Sequence, residues 1–252
     1  MDRAALLTAW RGEEPQPFAG WDFSYLRGRM LEEQPPWSYA DRSAELMRRA
    51  PSLVDLDTGG GERLLHLREH WPERVVVTEH YPPNVRLARE RLEPLGVAVV
   101  DVPSEEGEAL PFADGEFDLV LNRQGAFNPA EVARVLAPGG TFLTQQVHSL
   151  ALHDLLAVFG VQPEGRGSNI DRYVPGLRAG GLTIREAREW EGQVTFTDVG
   201  TIVYYLRAVS WLVPGVSVEM HAGRLLALQE RVERGEGLTF STGKELIEAG
   251  KG

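Results

Sequence analysis

Three glycines flanked by acids form the most chemically loaded stretch of the chain. The run SLVDLDTGGGERLLHL, Ser52 to Leu67, places Asp55, Asp57 and Thr58 before Gly59, Gly60 and Gly61. Glycine adopts left-handed backbone angles and lets a ligand lie against the peptide itself. A helix opening just after such a turn offers free N–H groups and a positive dipole end to a carboxylate or phosphate. Glu79, in VVVTEH, follows the glycines by about twenty residues, the spacing at which an acid pairs with ribose hydroxyls in dinucleotide folds. A carboxylate there accepts from two vicinal hydroxyls and repels a 2′-phosphate. The pattern asks for an unphosphorylated adenosine-type ligand.

Other chemistry is excluded or weak. The fingerprint G-x-G-x-x-G, counted from Gly59 and Gly61, fails at Leu64, and Gly243-Lys244 is followed by Glu245, so no P-loop exists. His66 and His70 have the spacing of a two-histidine metal site on a helix, but no third ligand accompanies them and HLREH is not H-E-x-x-H. An exposed helix face is the better reading, and no metal is expected. His148 and His153 follow a strand where a substrate could lie, a position open to a general base or to packing. Tyr204, Tyr205 and Trp211 lie on an apolar helix that reads as core before it reads as a substrate cage.

The elements that must position these residues alternate. SLVDLDT, RVVVTEH, VAVVDV, FDLVLNR and TFLTQQV are continuous apolar runs, as in strands covered by helices on both faces. ERLLHLREH, NVRLARERLEPLG and PAEVARVLAPGG carry helical spacing between them. Short strands separated by helices predict an α/β doubly wound, mostly parallel sheet of seven strands. Residues 1–50 read as an N-terminal arm and helix, 51–195 as the core, 196–236 as a helical cap insertion, and 237–252 as the final strand. Arm and cap are where substrate selection is expected.

Composition bounds the partners. The 252 residues carry a net charge of −11 and no cysteine, which excludes disulfides and thiolate chemistry. Arginines are dispersed among acids, which argues against nucleic acid as a partner. No run of about 18 apolar residues predicts a membrane span, and MDRAALLTAWRGEEPQP does not read as a signal peptide. A cytoplasmic protein is expected.

The glycine stretch resembles the first motif of class I S-adenosylmethionine (SAM)-dependent methyltransferases, an acid followed by alternating glycines. Asp55, Gly59 and Gly61 match, and Asp57 stands where the first glycine usually is. EALPFADGEFDLVLNR (108–123) and EVARVLAPGGTFL (131–143) resemble the ubiquinone/menaquinone methyltransferase-like (type 11) group, so the likeness spans roughly residues 50 to 147. It implies a Rossmann-like fold binding SAM and releasing S-adenosylhomocysteine (SAH). It also implies that Asp55, Thr58, Gly59, Gly60 and Gly61 line the methionine part, that Glu79 holds the ribose, and that His80 and Tyr81 flank the adenine. Asp101 or Glu106 faces the adenine amino group, and Asn122, Arg123 and Gln124 sit by the transferable methyl. Arg29, Trp37 and Tyr39 are candidates to close over the cofactor. Asn122, Gln124 and His148 are the catalytic candidates. A small-molecule acceptor is the expected substrate; an rRNA or tRNA methyltransferase, or a SAM binder without turnover, are the alternatives.

Overall fold

A computed structural model describes residues 2–104, 107–162 and 168–252. In chain order the elements are α1 (Arg3–Arg11), β1 (Met30–Glu32), α2 (Tyr39–Met47), β2 (Ser52–Leu56), α3 (Glu62–His66), β3 (Arg74–Glu79), α4 (Pro82–Leu92), β4 (Ala98–Asp101), β5 (Phe117–Arg123), α5 (Pro129–Val135), β6 (Leu136–Val147), α6 (His153–Val158), α7 (Asn169–Ala179), β7 (Leu182–Phe196), α8 (Val199–Ala208), α9 (Val218–Glu233) and β8 (Thr239–Lys251). The sheet order is β1-β7-β8-β6-β5-β2-β3-β4. Strands β4, β3, β2, β5 and β6 run parallel, while β8 is antiparallel to both β6 and β7.

The apolar runs are legible as two-sided burial. Leu53, Val77, Leu121 and Leu246 face one layer of helices with Met47, Leu64 and Leu92. Their neighbours Val54, Val76, Val120 and Ile247 face the opposite layer, against Val132 and Leu177. From β2 the chain winds outward through β3 and β4; from β5 it winds the other way through β6. The switch point therefore lies between β2 and β5, where a crevice opens at the carboxyl ends of the strands.

The sheet has eight strands among the described residues, not the seven expected. The extra one, β1, comes from the arm and pairs antiparallel with β7, Met30 opposite Phe196. It satisfies part of an edge that would otherwise present unpaired backbone groups. A strand this short leaves no periodic signal to read. Two further differences have local causes. The helix after the glycines is one short turn, and a 3-10 turn at Arg68–His70 follows, so His66 and His70 do not share a helix face. Helix α7 lies outside the expected elements because Pro175 and Gly176 sit inside it and mask its spacing.

Helices α8 and α9 lie between β7 and β8 in the chain, each opened by a side-chain cap: Asp198 accepts from the Thr201 N–H and Ser217 from the Met220 N–H. They share a hydrophobic core with α1, in which Leu6 and Trp10 meet Ile202, Leu206, Leu225 and Leu228. Arm and cap are thus packed as one layer over the sheet end. Among the described residues no helix is long and apolar enough to cross a membrane.

Candidate functional site

The turn after β2 is built by three left-handed residues. Asp57 has φ 56°, Gly59 67° and Gly61 81°. Aspartate tolerates this region better than most side chains because its short polar group bonds locally. Here the Asp57 N–H donates to Thr78 Oγ1 at 3.2 Å, and Ser104 Oγ donates to Asp57 Oδ1 at 3.0 Å. Asp57 thus replaces the usual glycine without unfolding the turn. Its carboxylate fills the space beside Gly125, where a β-carbon would lie 2.5 Å from Asp57 Oδ2.

Glu79 holds this turn against the end of β3. Its carboxylate is buried and accepts from three peptide amides: Gly59 at 2.8 Å, and His80 and Tyr81 at 2.9 Å each. The Asn84 amide stands 3.5 Å away. A carboxylate has about four in-plane acceptor sites; peptide amides fill three, and the Asn84 amide makes the fourth bond, long and weak. Glu79 is a structural keystone of the loop as well as a candidate ribose acceptor.

Behind the turn lies a charged recess. Burial pushes the Asp55 carboxyl up to about 7; nearby Thr58 and Arg123 pull it down, and Asp57 raises it further. The Arg123 guanidinium is lowered to about 10 by burial and then by the like charge of Arg63. The Thr58 hydroxyl is buried without a well-formed hydrogen bond. An acid with a hydroxyl beside it and two guanidiniums thus share one recess.

The opposite wall comes from arm and cap. Trp21 lies edge to face with Trp211, ring centroids 5.7 Å apart, and Phe18 packs against Trp21 at 6.3 Å. The crevice between this wall and the sheet end measures about 1020 Å³ and reaches Glu79, His80 and Tyr81 on one side and Arg207 and Trp211 on the other. The recess around Asp55, Thr58 and Arg63 is a separate space of about 40 Å³. Trp21, Asp57, Arg123 and Gln124 line both.

The sequence candidates divide by location. Asp55, Thr58, Glu79, His80, Tyr81, Tyr39, Arg123 and Gln124 line the crevice or the recess. Tyr39 also donates to the Asn122 carbonyl at 3.1 Å, and burial raises its hydroxyl. Gln124 is held at the strand end with φ 62°. Gly60 is packed toward the Glu62, Leu87 and Arg91 side chains. Asn122 is fully buried, its amide shared among Leu56, Thr144 and Gln146, so it organises strand ends. Trp37 donates to Gln145 at 3.0 Å. Asp101 is turned to the His80 ring at 3.3 Å, and Glu106 lies outside the described residues.

Two candidates stand elsewhere. Arg29 pairs with Glu13 at 2.8 Å and Asp198 at 3.4 Å, linking arm to cap. His148 stands with Glu189 and Glu245 beyond β6, one polar atom of each within 4.8 Å of the others, and its Nδ1 accepts from the Leu150 N–H. Sequence reasoning missed Trp21, Arg63 and Ser104. The signal for the first was present in FAGWDF, an aromatic cluster around a glycine. Arg63 follows the glycine turn directly.

Comparison with known proteins finds methyltransferases. Residues 54–144 match a family model described as a methyltransferase domain. A demethylmenaquinone methyltransferase of Thermus thermophilus is 36% identical over 125 residues, 46% of this chain and 56% of that one. A 23S rRNA (guanine(748)-N(1))-methyltransferase of Streptomyces fradiae is 29% identical over 170 residues, 64% of this chain and 59% of that one. The chain thus spans a little over half the length of these curated relatives. Among solved structures, the YcgJ protein of Bacillus subtilis superposes with a TM-score of 0.58 at 19% identity, covering 84% of this chain and 97% of that one. A functionally unknown protein of Deinococcus radiodurans superposes at 0.57 with 14% identity, covering 98% and 99%. These structural likenesses speak for the fold alone.

Proposed function

We propose, from the premise that this chain belongs to the class I SAM-dependent methyltransferases, that it moves the methyl group of SAM to a small-molecule acceptor and releases SAH. The observation that carries this reading is the buried Glu79 carboxylate, bonded to Gly59 and facing a crevice large enough for a nucleoside and an acceptor together. When bound, SAM supplies a methyl already activated on a sulfonium, so the chemistry asks the protein for alignment more than for a strong base.

The residues fit that task. Asp55 would take the ammonium of the methionine tail, and Arg123 with Arg63 its carboxylate, the recess holding matched charges for both. A ribose hydroxyl would take the Glu79 acceptor site that the Asn84 amide reaches only at 3.5 Å. His80 and Tyr81 would flank the adenine, with Asp101 orienting the His80 ring. Asn122 would act at one remove, by fixing the end of β5 next to Arg123 and Gln124. Trp21, Trp211 and Phe18 form an apolar wall that would exclude water from the acceptor side.

A small-molecule acceptor in the cytoplasm accords with the net charge of −11 and with relatives named for a quinone precursor. The rRNA-modifying relative supports a second reading, but that acceptor would need a basic approach to the crevice. Calorimetry is expected to give micromolar SAH affinity, at least tenfold weaker in Glu79→Gln, with a smaller proportional loss of stability. No SAH binding by the unaltered chain would overturn the reading. Labelled SAM incubated with fractionated lysate should mark small molecules; label confined to RNA would overturn the acceptor class.

A further inference from the structure

Trp21 stands where a ligand on the glycine turn would have to lie. Its indole edge touches the bare face of Gly59 so closely that a β-carbon there would collide with Cδ1. Behind it the charged recess has only about 40 Å³. A water needs roughly 10–15 Å³ of such space, so with Trp21 in place the recess holds a few waters, short of what the aminobutyrate tail of SAM needs. The crevice in front, about 1020 Å³, is open. The tryptophan lines both spaces, together with Asp57, Arg123 and Gln124.

The arm tip that carries Trp21 is held in two places. On the core side, the Glu62 carboxylate lies against Gly20 and is itself paired with Arg91 at 2.5 Å. On the cap side the ties are stronger: Arg29 bridges Glu13 and Asp198, Glu14 accepts from the Val218 N–H at 2.8 Å, and Tyr204 donates to the Pro17 carbonyl at 3.2 Å. Phe23 packs on Tyr205 at 6.1 Å, and α1 shares the core of α8 and α9. The attachments to the cap outnumber those to the glycine turn, so the tip moves with the cap or not at all.

We propose that Trp21 is the gate of the cofactor cleft. With the gate shut, the indole covers Gly59 and closes the recess; cofactor entry and product exit require the arm tip to lift from Gly59 and Glu62, carried on the cap. This rests on the cofactor reading above. The closed state competes with ligand, so the apparent affinity is reduced by the fraction of molecules that are open. The fluorescence of Trp21 reports the step directly, since the indole leaves an apolar contact for a new environment.

The test is the SAH association rate, measured by surface plasmon resonance on the full chain. Trp21→Ala is expected to raise it at least fivefold, Trp21→Phe by less, and Glu62→Ala, which frees the tip while keeping the indole, at least twofold. The SAH-induced change in tryptophan fluorescence should be largely lost in Trp21→Phe. Equal or slower association in Trp21→Ala and Glu62→Ala, with binding retained, would overturn the gate and leave the cofactor reading standing. Absence of binding in the unaltered chain and in every variant would sink both. Should Trp21→Ala fail to fold, Glu62→Ala and Trp21→Phe decide the matter by the same rates.

Discussion

The two walls of the crevice are made of different materials. The sheet-end wall is peptide amides, left-handed turn residues and buried acids, drawn from residues 55–84 and from Gln124 at the end of β5, and fixed by parallel strands. The arm and cap wall is aromatic side chains drawn from segments far apart in the chain, Phe18 to Phe23 on one part and Tyr204 to Trp211 on the other. Backbone topology sets the first. Side-chain packing sets the second. A wall of amides has one geometry to offer and suits a ligand that does not vary; a wall of rotamers can be rebuilt for different acceptors without disturbing the sheet.

The largest expected effect follows from that contrast. Gly59→Val places a branched side chain at φ 67°, against Trp21, on the face a ligand needs. SAH affinity should fall at least 100-fold. Trp211→Ala, on the exposed rim of the other wall, should leave SAH affinity within about threefold while raising the acceptor KM. Titration calorimetry on both variants checks this, and similar losses in the two would erase the distinction between the walls.

Asp55 gives the next largest effect and a sign that separates binding from stability. Its carboxyl titrates near 7 in the folded chain against an ordinary 3.8. Between those values the folded state holds a proton that the unfolded state has released, so this group's contribution falls as pH rises through the window and is fully unfavourable above 7. Asp55→Asn should therefore stabilise the chain at pH 8. The side chain opens partly onto the recess, so the gain is about 1–2 kcal/mol rather than the full shift, a few degrees in Tm, vanishing toward pH 4. The same substitution should weaken SAH about tenfold at pH 8. In the unaltered chain SAH affinity should fall as pH drops below 7, as Asp55 gains its proton, and this slope should be lost in the variant. Paired thermal melts and titrations across pH 5–8 check both signs.

The sequence was most legible where function is carried by backbone. The glycine turn, Glu79 and the alternating strands leave periodic or positional traces, and the expected parallel sheet and switch point followed from them. Asp57 was readable only as a departure; that it takes the left-handed angle of the absent glycine depends on Thr78 and Ser104, residues distant in sequence. The arm was legible as aromatic and irregular, but not its register on Gly59, because a tryptophan in a loop has no period. Helix α7 hid behind Pro175, and β1 was too short to register.

Arg29 offers the smallest effect and the finest discrimination. The family likeness assigned it to the cofactor; the structure has its guanidinium on Glu13 and Asp198, with these partners holding it above its ordinary range and burial opposing them. Asp198 also caps α8, so Arg29 binds the arm to the very start of the cap. A quarter of the Arg29 side chain is exposed, which screens the pair to about 0.5–1 kcal/mol. Arg29→Ala should lower Tm by about 1–4 °C and speed proteolytic cleavage within the arm, with SAH affinity changed less than threefold. Arg29→Lys should recover most of the Tm, since it keeps the charge. An affinity loss of tenfold or more in Arg29→Ala, with proteolysis unchanged, would move Arg29 from the aromatic wall to the cofactor wall and redraw the boundary between them.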